Sequence, residues 1–183
     1  MKNKIERVII AGFGGQGVML IGQILSYAAT NEGVNTVWIP SYGPETRGGT
    51  ANCSVTISKE MIDSPIVVEP DTVLALNLPS LEKFEPKLKK NGTLIVNVSA
   101  IKSYTYRDDI RVIKIDANTE ALKLGNTKVM NMIMLGAYIE ATGTFKEDAI
   151  TAIFKKMFTG DKAKLIDLNK EALALGMKLI RQH

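Results

Sequence analysis

One cysteine, Cys53, and one histidine, His183 at the last position, are all that 183 residues hold of the two side chains most used for metal and nucleophilic chemistry. An iron–sulfur cluster needs about four thiolates, and a serine-type triad needs a histidine, so neither is built from this chain alone. No structural zinc spacing and no GxxxxGK[ST] phosphate loop occur. A lone cysteine also forbids an internal disulfide, which fits a reducing, cytoplasmic compartment. Charge of one sign is not concentrated either. Lys and Arg number 23 against 19 Asp and Glu, a net charge of +4, and the lysines alternate with acids as they do on solvated helix faces. With neither a basic stripe nor an aromatic stacking set, nucleic-acid binding is not expected. No Pro/Ser-rich or like-charge block divides the chain, so residues 1–183 read as one domain, with a C-terminal helical part, 144–183, packed on it.

What is abundant near the start is glycine. Lys2, Lys4 and Arg7 followed by an uncharged apolar stretch imitate a signal peptide or a membrane span. Gly12, Gly14, Gly15, Gly17 and Gly22 inside that stretch argue against both, since each costs a helix roughly 1 kcal/mol relative to alanine. The segment reads instead as a buried strand over residues 8–11, a glycine turn, and a helix whose Val18, Ile21, Leu25 and Ala28 recur at helical spacing up to the stop at Gly33. A second strand over 35–39 completes what resembles a right-handed βαβ unit.

Farther along, residues 50–58 alternate as a half-exposed, antiparallel strand. Residues 71–76 and 93–98 are buried strands, separated by an amphipathic helix that begins near Ser80 and is closed by Asn91-Gly92, and 112–115 is one more strand. Asn118 or Thr119 is expected to cap a short helix, and Thr144 with Glu147 a capping box before another. The apolar helix over 130–142 lies either in the chain's own core, the favoured expectation, or against a partner chain. A helix over 163–181 ends the chain. The fold class is α/β: a single Rossmann-like open sheet, mostly parallel, with helices on both faces and any ligand beyond the carboxyl ends of the strands.

Gly12-Phe13-Gly14-Gly15-Gln16-Gly17 satisfies GxGxxG directly after a strand and ahead of a helix. Glycines there permit a tight turn and close backbone approach, and the helix N-terminus offers free N–H groups to a phosphate. The opposing reading is that the glycines only let strand and helix pack closely. A nicotinamide dinucleotide site would also carry an acid at the end of the second strand, where this chain has "WIPSYG", so a hydride-transfer enzyme is disfavoured. The polar loop "PSYGPETRGGTANC" supplies Arg47 as a fork for phosphate or carboxylate and Gly48-Gly49 as an anion nest. Equally, Tyr42, Pro44 and Arg47 are residues that dock partner chains. Cys53 reads as a buried core residue.

Together, "GFGGQGV" and "PSYGPETRGGTANCSVTIS", followed by "SPIVVEPD", "LNLPSLEKF" and "GTLIVNVS", resemble the gamma subunit, or gamma domain, of 2-oxoacid:ferredoxin oxidoreductases, most of all the 2-oxoglutarate (2-ketoglutarate) type. The resemblance spans residues 5–143. It implies a non-catalytic subunit of a heteromeric enzyme that decarboxylates a 2-oxoacid oxidatively, forms the acyl-CoA and passes electrons to ferredoxin. It further implies that thiamine diphosphate and the iron–sulfur clusters sit on partner alpha, beta and ferredoxin-like chains, with no cofactor held tightly here. Coenzyme A would be met at the turn formed by Gly12, Gly14, Gly15, Gln16 and Gly17, and Arg47, Gly48 and Gly49 would lie near that ligand or a partner. Alone, the chain is expected to be inactive and monomeric or homodimeric, without nucleic-acid or membrane association. Pyruvate, a branched-chain 2-oxoacid and 2-oxoglutarate are all compatible substrates. A free-standing dinucleotide-binding oxidoreductase and a purely structural assembly module are the competing readings.

Overall fold

A computed structural model describes residues 5–43, 49–101 and 103–182. The elements run β1 (Ile5–Phe13), α1 (Val18–Asn31), β2 (Asn35–Tyr42), β3 (Thr50–Ser58), β4 (Thr72–Ala75), α2 (Leu78–Phe84), β5 (Thr93–Asn97), β6 (Arg111–Ile115), α3 (Ala117–Lys123), α4 (Met130–Thr142), α5 (Glu147–Met157) and α6 (Ile166–Arg181). The strands form a six-stranded sheet in the order β2-β3-β1-β4-β5-β6. β1, β4, β5 and β6 are successively parallel, and β3 runs antiparallel to both of its neighbours. The sheet is therefore the open, mostly parallel α/β sheet expected from the run of short β-branched segments.

Two features of the strand region depart from the sequence reading. β2 shares the direction of β1 but does not touch it, because β3 folds back between them. The expected βαβ unit thus has an antiparallel strand inserted in its middle. β3 is also more buried than its alternation suggests, with Ala51, Cys53, Val55 and Ile57 facing α1 and Thr56 and Ser58 covered as well. Interior pairing on both edges, not one-sided exposure, is what its mixed pattern reports.

Two cores lie on the two faces. On one, α1, α3, α4, α5 and α6 bury Val8, Ile10, Val55, Leu74 and Ile95; on the other, α2 and the segment carrying Tyr104 and Tyr106 cover Ile9, Ala11, Val73 and Leu94. α4 is buried from Met130 through Ile139, so its all-round apolar character belongs to this chain's own core. Its axis passes very close to α6: a Cβ at Gly136 would stand 2.0 Å from the Leu173 carbonyl oxygen, and one at Gly176 2.0 Å from that of Ile133. Among the described residues no helix is long and apolar enough to cross a membrane.

The helix ends differ in detail from expectation. α2 begins at Leu78, capped by Asn77, whose Oδ1 accepts the Ser80 N–H at 2.9 Å. It yields at Phe84 to a 3-10 turn carrying Pro86, well before Asn91-Gly92, because proline cannot continue an α-helix. The cap position of α3 is Asp116, not Asn118 or Thr119; its first amides are taken by side chains from the end of β5, Ala117 N–H by Asn97 Oδ1 at 3.2 Å and Asn118 N–H by Ser99 Oγ at 3.0 Å. The Thr144–Glu147 capping box does not form. Lys146 occupies the cap of α5, and the Thr144 hydroxyl turns inward to Thr142 and the buried Tyr138. A 3-10 turn over Gly160–Leu165 precedes α6, which therefore starts at Ile166.

Cys53 is buried under α1, where burial pushes its thiol from the ordinary 9.0 to about 12 and the Trp38 indole only partly offsets this. A thiol whose folded pKa is raised keeps its stabilising contribution below the unfolded value and loses it as pH climbs toward the folded one, here between 9.0 and about 12. The native protein should accordingly leave a thiol-specific disulfide reagent unreacted at pH 8 and titrate one thiol once denatured. Rapid reaction of the folded protein would show that α1 does not cover β3 as described.

Candidate functional site

The carboxyl ends of β1, β4 and β5 gather at one edge of the sheet, where open α/β folds take their ligands. At the end of β1, Gly15 adopts φ +94° with open space where a side chain would stand, and Gly17, at the cap of α1, adopts φ +82°. Both values lie in the left-handed region that favours glycine. Gly12 has a different reason to be glycine: its Cβ would come within 2.7 Å of the Gln16 side chain and 3.1 Å of Leu76.

Gln16 acts as the strut of the turn. Its Oε1 accepts the Phe13 N–H at 2.7 Å and the Asn77 amide at 3.2 Å, and its Nε2 reaches the Leu76 carbonyl at 3.5 Å. Those bonds tie the end of β1 to the end of β4 and leave the Gln16 side chain little freedom to meet a ligand directly. The Gly14 N–H is similarly committed, donating to the Gly49 carbonyl at 2.9 Å. That bond and the Gly43 N–H to Thr50 carbonyl contact at 2.7 Å close the β2–β3 hairpin beside the glycine turn. The described ends of the polar loop, Tyr42 and Gly49, thus lie beside the glycine turn. Arg47 and Gly48 fall outside the described residues; Gly49 and Tyr42 lie within them.

What stays open is the amino end of α1. No side chain caps it and no acidic residue stands in its first turn, so the amides of Val18, Met19 and Leu20 have no acceptor within the helix. These residues, with Gly15 and Gly17 behind them and Tyr42 opposite, line a cavity of about 240 Å³. Tyr42 is 70% exposed, and Phe13 stands at the same rim. A wider cleft of about 770 Å³ lies around the C-terminal ends of α1, α4 and α6. Its Glu140 is paired with Arg181 at 2.9 Å, a hydrogen bond that holds the Glu140 carboxyl below its ordinary range. The uncapped amino end of α5 also lines it, but Glu32, Glu140, Glu147 and Asp148 crowd the cleft with negative charge, and an anionic ligand is better served at the glycine turn.

Sequence reasoning named the turn but missed the asparagines that surround it. Asn77 stands two residues past the end of β4, and Asn97 ends β5, where its Oδ1 accepts from Ala117 N and Ser99 and its Nδ2 donates to Asn118 at 3.1 Å. Ser99 in turn donates to Asp116 at 2.5 Å, and that bond holds the Asp116 carboxyl below its ordinary range. An asparagine directly after a buried strand, twice over in "LNLPS" and "VNVS", was the available signal. Asn131, at the start of α4 and packed against Gly17, carried none. Among the described residues no cluster of three or more His, Cys, Asp or Glu could hold a metal ion.

Residues 7–179 match the family described as pyruvate ferredoxin/flavodoxin oxidoreductase. The chain belongs to that family. It is 39% identical over 179 residues to the ketoisovalerate oxidoreductase subunit VorA of Methanothermobacter marburgensis, an alignment that takes in 97% of this chain and 37% of that one. The chain therefore spans little more than a third of VorA. It is 41% identical over 145 residues to the 2-oxoglutarate synthase subunit KorC of the same organism, covering 75% of this chain and 78% of KorC. Its fold superposes with a TM-score of 0.82 on the gamma subunit of a keto/oxoacid ferredoxin oxidoreductase from Geobacter sulfurreducens, at 27% identity and covering 97% and 99% of the two chains. The resemblance in the glycine turn and the hairpin loop is thus a family relationship. The relatives' names differ in the 2-oxoacid they specify.

Proposed function

We propose that this chain is the gamma-type subunit of a cytoplasmic 2-oxoacid:ferredoxin oxidoreductase, with 2-oxoglutarate as its 2-oxoacid, and that it presents coenzyme A to thiamine diphosphate held by partner alpha and beta chains. The redox centres belong to those partners and to a ferredoxin-like chain, because one cysteine cannot supply the thiolates of a cluster. The observation that carries the reading is the uncapped amino end of α1 opening into the cavity under Tyr42. Backbone amides without an acceptor, and no carboxylate among the described residues that line the cavity, suit the phosphates of a nucleotide-type ligand.

The residues divide the work in this reading. Gly15 leaves room for a phosphate to approach the backbone, and the amides of Val18, Met19 and Leu20 donate to it. Gln16 and the Gly14–Gly49 bond hold the turn rigid, and Arg47, Gly48 and Gly49 are assigned to contact with the ligand or a partner chain. Gly12 and Gly17 serve by letting Gln16 and Asn131 pack against the turn. When bound, coenzyme A supplies the thiol that accepts the acyl group; this chain binds and orients it. The substrate choice favours 2-oxoglutarate because, among relatives matched along most of their own length, KorC is 41% identical where the pyruvate synthase subunit PorC is 31% identical.

The test is reconstitution. Complex lacking this chain should reduce ferredoxin only marginally with 2-oxoglutarate and coenzyme A, and adding the chain should restore turnover. Faster turnover with pyruvate or ketoisovalerate would replace the substrate and keep the subunit role. Full activity without the chain would remove that role.

A further inference from the structure

Three backbone groups fix the orientation of two side-chain amides at the glycine turn. The Ser80 N–H can only donate, so the atom of the buried Asn77 side chain that meets it at 2.9 Å is Oδ1. Asn77 Nδ2 is thereby turned toward Gln16, whose Oε1 accepts it at 3.2 Å. The same Oε1 accepts the Phe13 N–H at 2.7 Å, and Gln16 Nε2 donates to the Leu76 carbonyl, which can only accept. Neither amide can be reversed without setting donor against donor and acceptor against acceptor. The backbone that this arrangement holds has little preference of its own. Gly15 and Gly17, on either side of Gln16, adopt φ +94° and +82°, and glycine populates positive and negative φ about equally. Room for the Gln16 oxygen is left by Gly12, whose Cβ would stand 2.7 Å from it.

We infer that Asn77 is a positioning residue of the turn: by presenting a donor to Gln16 Oε1 it sets the Gln16 amide and, through Gln16, the path of the chain from Phe13 to Gly17 that brings the α1 amides to the ligand. The inference rests on the reading of the turn as a coenzyme A site and adds to it a residue outside the cavity wall. Asn77 also caps α2, and the two roles are separable. Serine and aspartate cap helices about as well as asparagine does. Serine has no second polar atom to reach Gln16, and aspartate sets a carboxylate oxygen against Gln16 Oε1.

The experiment has two readouts. In the isotope-labelled full chain, amide hydrogen exchange of Phe13 reports the bond to Gln16 Oε1; in the purified oxidoreductase complex, steady-state kinetics give kcat and KM for coenzyme A. The variants are Asn77→Ser, Asn77→Asp, Gln16→Ala and the double variant of Asn77→Ser with Gln16→Ala, with Gly15→Asp as the reference for the turn. Asn77→Ser should speed Phe13 exchange about fivefold and raise KM by a similar factor, the loss of one neutral hydrogen bond. Its kcat should stay within about twofold and its melting temperature within about 2 °C of wild type, because the cap is kept. Asn77→Asp should act more strongly, since two acceptors then face each other. In the Gln16→Ala background, Asn77→Ser should add nothing to either readout. Wild-type Phe13 exchange in Asn77→Ser would show that Asn77 only caps α2 and overturn the inference, as would effects that multiply in the double variant. Faster exchange with unchanged KM, where Gly15→Asp raises KM, would overturn it too, because the ligand would then not depend on the position of the turn. Faster exchange with KM unchanged in every variant, Gly15→Asp included, would uphold Asn77 as the residue that sets the turn and remove coenzyme A from it. Asn77→Ser carries the test should Asn77→Asp fail to assemble.

Discussion

Gly136→Val should lower the melting temperature of the protein by about 10 °C or more. The cause is local. A Cβ at position 136 stands 2.0 Å from a backbone oxygen of α6, and its next contacts, at 2.9 and 3.1 Å, are also backbone. A flexible side chain could swing away from such a clash, but a helix backbone can only move as a whole. α4 and α6 must separate, and the Met, Ile and Leu side chains packed between α4 and the sheet lose contact with them. Overpacking of a well-packed core costs about 1–3 kcal/mol and more where backbone must shift, and about 3 kcal/mol corresponds to roughly 10 °C in a domain of this size. Gly176→Val should cost a similar amount for the reciprocal reason, its Cβ facing the Ile133 oxygen. Once the helices have parted, the second substitution meets less resistance, so the double variant should be less destabilised than the sum of the two. Thermal unfolding followed by far-ultraviolet circular dichroism reads all three. A Gly136→Val protein melting within about 2 °C of wild type would mean that α4 and α6 do not cross at these glycines.

Gly15→Asp should leave the fold nearly intact and weaken coenzyme A binding by about two orders of magnitude. Aspartate is among the few residues that enter the left-handed region at modest cost, and no atom lies within 4 Å of where its Cβ would stand. The stability change should therefore stay near 1 kcal/mol. Binding is a different matter, because the new carboxylate enters the space in front of the α1 amides. Two unit charges about 4 Å apart repel by roughly 1 kcal/mol in water and about 4 kcal/mol near a protein surface, which brackets a hundredfold loss. Raising the salt concentration should recover part of it. Gly15→Asn, similar in shape but uncharged, should keep most of the affinity. Calorimetric titration of coenzyme A separates the cases. Equal, small effects of both substitutions would show that no anion approaches Gly15.

Much of this was legible in the chain. The strand, glycine turn and helix at the start follow from β-branched run, glycine cluster and 3.6-residue spacing, and all three elements lie where the sequence puts them. Strand neighbours were less legible: alternation at 50–58 announces a strand but does not say that it inserts between β1 and β2. That insertion has a consequence for the site. It sets β2 one strand farther from the glycine turn, so the place where a dinucleotide fold keeps its ribose-binding acid is taken by Thr50 and Ala51 of β3. The lack of an acid among the last residues of β2, Pro40-Ser41-Tyr42, is therefore matched by topology. Helix ends were read less well because tertiary partners decided them: Asn97 and Ser99 serve α3 from another element, and Tyr138 draws Thr144 away from α5. The role of Gln16 shows the same limit, since only the geometry reveals its bonds to Phe13, Asn77 and Leu76.

The most direct measurement is the native mass and visible spectrum of this chain purified through a tag from its own host without oxygen. The account predicts a brown complex several times heavier than the 20.0 kDa chain, releasing thiamine diphosphate on denaturation and retaining activity with coenzyme A and a 2-oxoacid. A colourless monomer or homodimer that binds no other chain under these conditions would contradict it.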